Sequence, residues 1–247
     1  MLRRKELKAK GKIAFLRNYW PSVIAGILVM FATTTEMFKI ETKVTYVGDV
    51  AHFSEYLKIF GIPFYNINIF NVLAGVMIAL LVTMLVANVI EVGGCAFFSQ
   101  NSHENAEFKE MFMGFDKQHY KNIVYIQFVR TLKIFVWSLL LIIPGIIKHY
   151  EYYMVPYILA DNPTINEKQA FALSKKMMYG HKWEVFVFQL SFILWEILSV
   201  FTFGILAYFY VNPYVLASNA EVYHELKNMI NNENMNESSQ SIHTENV

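Results

Sequence analysis

Cysteine is almost missing from this 247-residue chain: Cys95 stands alone. That excludes an internal disulfide and any cysteine-built zinc cluster. It lies in the apolar run Gly93-Gly94-Cys95-Ala96-Phe97, the setting of a packed small residue rather than a reactive thiol. Charge is scarce as well. Charged residues make up 17% of the chain and the net charge is +1, without the large basic patch that nucleic acid requires. The motifs of familiar catalysts are also lacking. There is no Gly-x-Ser-x-Gly elbow, no His-Glu-x-x-His and no phosphate-cradling glycine loop. The seven histidines are scattered, with no pair at metal-ligand spacing, so neither metal nor cofactor is expected. His149, beside Lys148 and Glu151, is the one cluster an intramembrane hydrolase could use, and it has no obvious nucleophile.

What is present is apolar, and it comes in blocks. Hydrophobic residues make up 55% of the chain and aromatics 16%. Stretches 20–33, 67–90, 123–147 and 185–210 are nearly free of charge, and only the first falls short of about 20 residues, the length that crosses a bilayer. Four such blocks predict an integral membrane protein. The N-terminal region is basic for too long, and Ala32-Thr33-Thr34 is too poor a cleavage site, for a signal peptide. It reads as an uncleaved first span.

Lysine and arginine set the orientation. Arg3, Arg4, Lys5, Lys8, Lys10, Lys12 and Arg17 precede the first block, against Glu6 alone, which places this end in the cytoplasm. The loop 36–65 balances three lysines with four acids and is expected outside. Lys109, Lys117 and Lys121 mark a cytoplasmic loop again, as do Lys168, Lys175, Lys176 and Lys182. The last group can lie inside only if the chain returns through 146–160. The same logic returns it through 205–217, with both termini cytoplasmic.

Pro156-Tyr157-Ile158-Leu159-Ala160-Asp161-Asn162 recurs as Pro213-Tyr214-Val215-Leu216-Ala217-Ser218-Asn219. Each copy follows an apolar run and a break, at Pro144-Gly145 and at Phe203-Gly204. The expected fold is therefore all-α: a six-segment helical bundle with two repeated hairpins in a single membrane domain, 1–230. The returning segments offer only about 15 residues, ~22 Å of helix, so full spans and re-entrant segments both stay open. Segment 166–182 reads as a cytoplasmic amphipathic helix with Ala170, Leu173 and Met177 on one stripe, and 2–17 as a weaker one. The Asn- and Ser-rich tail 231–247 is expected to be disordered.

Several charges fall where a bilayer makes them costly. Counting 1.5 Å per residue puts Lys133 ~18 Å and Glu196 ~21 Å from the cytoplasmic side, and Glu151 ~9 Å below the outer surface. Arg130, Lys133 and Trp137 share a helix face, as do Gln189, Phe192 and Glu196, and Lys148, Glu151 and Tyr152. Arg130, Lys133, Lys148, Glu151, Gln189 and Glu196 thus form a candidate charged layer, either an ion-pair lock or a relay or ligand lining.

Several stretches carry a family resemblance. They are Arg4-Lys5-Glu6-Leu7-Lys8 with Asn18-Tyr19-Trp20, the run from Trp137 to Lys148, Pro156 to Pro163, Ala172-Leu173-Ser174-Lys175 and Gly180-His181-Lys182-Trp183-Glu184. From residue 3 to about 228 the chain resembles the bacterial multi-pass membrane family catalogued as domain of unknown function 975. A fainter likeness is to the membrane domains of some glycerophosphodiester phosphodiesterases. Neither resemblance brings catalytic residues. The expectation is a non-catalytic multi-pass protein of the bacterial cell membrane, in contact with membrane lipids, that binds or handles a lipid, peptide or small solute. A secondary transporter and an immunity protein against membrane-active peptides are the alternatives. In the last case loop 36–65 would dominate.

Overall fold

The computed structural model describes residues 2–33, 74–75, 77 and 81–245. Loop 36–65 and most of the block 67–90 lie outside the described residues, and with them the expected outer loop and second span. Among the described residues every regular element is helical.

Helix α1 (Arg4–Arg17) buries Leu7, Gly11, Ala14 and Phe15, an i, i+4, i+7, i+8 stripe. Its other side leaves Ile13 and Leu16 exposed. At Asn18 the chain turns by 107° into α2 (Tyr19–Thr33). A buried asparagine holds this corner. Asn101 donates from Nδ2 to the Ala14 carbonyl at 2.9 Å, while its Oδ1 accepts from Asn18 Nδ2 at 2.9 Å.

Asn101 belongs to α3 (Asn88–His103), which follows a π-turn at Thr83–Ala87. Val92, Gly93, Gly94, Cys95, Phe97, Phe98 and Ser99 are all buried, so α3 is enclosed on nearly every side. The paired glycines allow this. A Cβ on Gly93 would stand 1.9 Å from the Met111 carbonyl, and one on Gly94 would stand 2.2 Å from Val29 Cγ2. Met111 lies in a 3₁₀ helix, Phe108–Phe115, that closes one flank of α3.

Helix α4 (Tyr120–Leu140) packs along α5 (Ile142–Glu151). The break between them is Leu141, whose φ of −159° and ψ of 143° are extended. The turn was expected at Pro144-Gly145, three residues later. Instead, Pro144 and Gly145 occupy the first turn of α5, where proline's missing N–H leaves no helical hydrogen bond unmade. Gly145 is buried there, and a Cβ would stand 2.4 Å from Ser138 Oγ, so it sets how closely α4 and α5 approach. After a turn at 152–154, α6 (Val155–Asp161) carries Pro156 in its first turn.

Asn166 caps α7 (Glu167–Met178), its Oδ1 accepting from the Lys168 N–H at 2.9 Å. Gly180, at φ +77°, ends the α7 region, so the amphipathic element is shorter than 166–182. Then come α8 (Lys182–Leu190) and α9 (Ile193–Phe201). Phe203 and Gly204, at φ 51° and 82°, turn the chain into a π-turn at Ala207–Val211 and then α10 (Asn212–Glu245). Pro213 again falls in the first turn after an irregular segment, where the i→i−4 ladder is already interrupted. Helix α10 runs on to Glu245, through the stretch 231–236 where every side chain is exposed. The tail expected to be disordered is helical to that point as a continuation of the buried part of α10, although its asparagines are weak helix formers and it has no apolar face to bury.

Among the described residues two helical stretches, Tyr120–Leu140 and Lys182–Phe201, are long and apolar enough to cross a membrane, or three if α1 and the bent α2 form one span. Their apolar windows are only 17% and 22% buried inside the protein. Leu139, Ile142, Val200 and Phe201 are each more than 75% exposed. In water such a surface would far exceed the patches that soluble monomers carry. The arrangement is that of a membrane protein. The packed core gathers at the opposite end, where α1, α2, α3, α6, α7 and α10 meet.

Candidate functional site

Of the charges expected in the membrane layer, Lys148 and Glu151 pair with each other, while Arg130 and Lys133 reach acids outside it. Arg130, on α4, donates from Nη2 to both carboxylate oxygens of Glu91 on α3, at 2.9 and 3.1 Å. Gln127, one turn earlier, adds a bond from Nε2 to Glu91 Oε2 at 3.2 Å. Lys133 reaches Glu167 at the start of α7, at 3.0 Å, and the Tyr125 hydroxyl donates to the same carboxylate at 3.1 Å. These contacts, the Lys133 bond foremost, hold the Glu167 carboxyl below the usual carboxylate range. Glu151 is chelated by Lys148 at 2.8 Å and Lys182 at 2.9 Å. Its backbone carbonyl accepts from buried Ser174 at 2.8 Å, which ties the end of α5 to α7. Gln189 accepts from the Tyr150 hydroxyl at 2.9 Å.

Glu196 has no hydrogen-bonding or ionic partner among the described residues. It lies on α9 between exposed Trp195 and Ile197, one turn from Phe192, whose ring Lys8 Nζ covers at 3.8 Å. The structure therefore divides the expected layer into three separate ion pairs and one isolated acid. Depth alone does not choose partners here: Lys133 and Glu151 each lie on an unbroken helix, and only the count to Glu196 crosses a turn, at 191–192.

A cavity of about 120 Å³ opens between α3, α6, α10 and the end of α2. Glu91, Cys95, Tyr153, Tyr157 and Asn219 supply its polar lining. Both copies of the repeated motif reach it, the first through Pro156 and Tyr157, the second through Leu216 and Asn219. Asn219 is buried, and its carboxamide oxygen has no partner; the same is true of Arg130 Nη1 and Gln127 Oε1, behind Glu91. Buried polar atoms are normally satisfied, so the Asn219 oxygen stands out as a free acceptor on a residue that lines the cavity. His149 is nearby only through ring contacts, its centroid 5.4 Å from Tyr150 and 6.0 Å from Tyr153.

The first repeat is fastened to α10 at its far end. Asp161 accepts from the Tyr223 hydroxyl at 2.5 Å and pairs with Lys227, while Tyr157 stacks on Tyr223 with centroids 5.2 Å apart. Burial, and then the Asp161 charge, push the Tyr223 phenol well above its usual range.

Residues 138–229 match a family model described as protein of unknown function (DUF975). The chain carries a DUF975 region. It runs from the last turn of α4 into α10 and takes in both Pro-Tyr-x-Leu-Ala copies, Lys148, Glu151, Gln189 and Glu196. Glu91, Arg130 and Lys133 lie upstream of the DUF975 match, as do the N-terminal residues of the resemblance. No curated protein and no solved structure matches the chain.

Sequence reasoning missed Glu91, Gln127, Glu167 and Asn219. Glu91 left one usable signal: it is a lone acid inside Asn88-Val89-Ile90-Glu91-Val92, continuous with the second apolar block. Gln127 and Arg130, spaced i, i+3, were the matching signal on α4.

Proposed function

We propose that this protein is a non-catalytic, multi-pass membrane protein that binds a small polar solute, or the polar end of a lipid or peptide, in the cavity beside Glu91. The unpartnered Asn219 oxygen on the cavity wall carries this reading. A carboxamide oxygen buried without a partner costs about 1–3 kcal/mol, a cost that a ligand donor would remove. The volume fits a small headgroup better than a drug-sized molecule, which needs some 300 Å³ or more. In this reading the two Pro-Tyr-x-Leu-Ala hairpins belong to a six-segment bundle with both termini cytoplasmic, and the cavity lies where the repeats meet. The lysine distribution and the bare apolar faces of α4 and α9 support that topology.

Native mass spectrometry of the full chain released from its own membrane, beside Asn219→Leu, tests the reading. A discrete small adduct on the wild type, lost in the variant, is expected. An adduct that persists in the variant, or a wild type that carries none, overturns the assignment of this cavity. Glu196 favours a second reading, an ion-coupled carrier, since a carboxyl without a partner in an apolar span suits a group that gains and loses a proton during transport.

A further inference from the structure

A second concavity, larger than the cavity, lies between α7 and α10. Its volume is about 440 Å³, within the range of pockets that hold small ligands. Its floor is apolar, made by Met177, Leu226, Met229 and Ile230, and its rim carries Lys175, Lys176 and His181. Lys175 has no partner among the described residues. Lys176 donates to Asn234 Oδ1 at 2.8 Å, a neutral contact that leaves its charge uncompensated. His181 is held by Glu184 at 3.0 Å, so the two lysines supply the positive field, against Glu233 alone on the lining.

The position of this groove is as informative as its lining. Gly180 turns the chain from α7 directly into the apolar stretch Lys182–Phe201. Beside that turn, Tyr179 and Trp183 are 80% and 71% exposed. Exposed Tyr and Trp at the start of an apolar span mark the headgroup level of a bilayer. The groove therefore combines a cationic rim with a greasy floor at the depth where phospholipid phosphates lie. A free phosphate would use the rim only and leave the floor uncovered; an amphiphile uses both.

We propose that the α7–α10 groove binds an anionic phospholipid, its phosphate between Lys175 and Lys176 and one acyl chain laid on Met229 and Ile230. This site does not depend on whether the cavity beside Glu91 binds anything.

The test uses the purified full chain in neutral detergent, titrated with dioleoylphosphatidylglycerol, dioleoylphosphatidylcholine or inorganic phosphate. Thermal midpoint and native mass spectra are read together. Phosphatidylglycerol is expected to raise the midpoint and give a discrete adduct, while phosphatidylcholine and phosphate give much less. Lys175→Gln/Lys176→Gln should weaken phosphatidylglycerol binding roughly thirtyfold, from the contribution of two lysines near a headgroup. Lys168→Gln, on the same helix outside the groove, should leave it unchanged. Ile230→Trp keeps both lysines and fills the floor, and it too should lose the lipid. Equal responses to the two lipids, equal losses in Lys168→Gln, or full binding by Ile230→Trp would each overturn the proposal. A midpoint rise reproduced by inorganic phosphate would reassign the rim to a free anion.

Discussion

Replacing Glu91 by leucine should be among the most damaging single changes available in this protein. Three hydrogen bonds converge on its carboxylate, two from Arg130 Nη2 at 2.9 and 3.1 Å and one from Gln127 at 3.2 Å. Arg130 Nη1 is already buried without a partner, and when Glu91 goes the neutral Gln127 Oε1 can accept from the guanidinium but cannot offset its charge. Breaking one side of a buried ion pair costs about 3–5 kcal/mol. Glu91 and Arg130 keep 22% and 16% exposure, which points to the lower end, about 3 kcal/mol. Arg130→Met should cost somewhat less, because Gln127 still donates to the orphaned carboxylate. The double variant leaves no uncompensated charge and should fall well short of the sum, with a coupling of about 2 kcal/mol. Unfolding of the full chain in mixed micelles, titrated with a denaturing detergent across the four proteins, measures this directly. Strictly additive losses would refute the pairing and with it the view that Arg130 holds Glu91 at the cavity wall.

Three further outcomes test the remainder. Glu196→Leu should raise the unfolding midpoint, because it removes a partnerless carboxyl from an apolar face where charge costs a few kcal/mol; a lowered midpoint would mean that Glu196 has a counter-ion after all. Glu196→Gln should keep the protein folded, and loss of a transport activity in that variant alone would favour the carrier reading. In a Cys95→Ala background, Lys43→Cys should react with an impermeant maleimide in intact cells and Lys176→Cys should not, while equal labelling would sink the proposed topology.

Much of the helical layout is readable from the residues, since apolar blocks and a polar start at Asn166 act locally, although the helix expected to reach 182 stops at Met178, before Gly180. Helix α7 shows this well. Ala170 and Met177, on the expected stripe, are buried, and Lys168, Lys175 and Lys176 are exposed. Partner choice is another matter. Periodicity assigned Arg130 and Lys133 to one side of α4, yet they diverge, one to α3 and the other to the start of α7. Nothing local encodes that fork, because it depends on where α3 sits, and α3 sits where Gly93 and Gly94 let Met111 and Val29 approach. The break at Leu141 is similarly hidden. Proline and glycine looked like the turn, whereas the structure uses Pro144 to start a helix and Gly145 to pack one.

The contact between α1 and α10 has a consequence for how the chain is made. Gly11 lies so close to Ser218 that a Cβ would stand 2.6 Å from its Cα, and Leu7, Ala14 and Phe15 are buried along the same side of α1. Helix α1 therefore cannot find its resting place until α10, far later in the chain, has been synthesised. Until then its greasy side needs a temporary shelter, which lipid or a chaperone can supply. A product cut short before α10 would keep that side uncovered, giving proteolytic surveillance a direct way to tell an unfinished copy from a complete one.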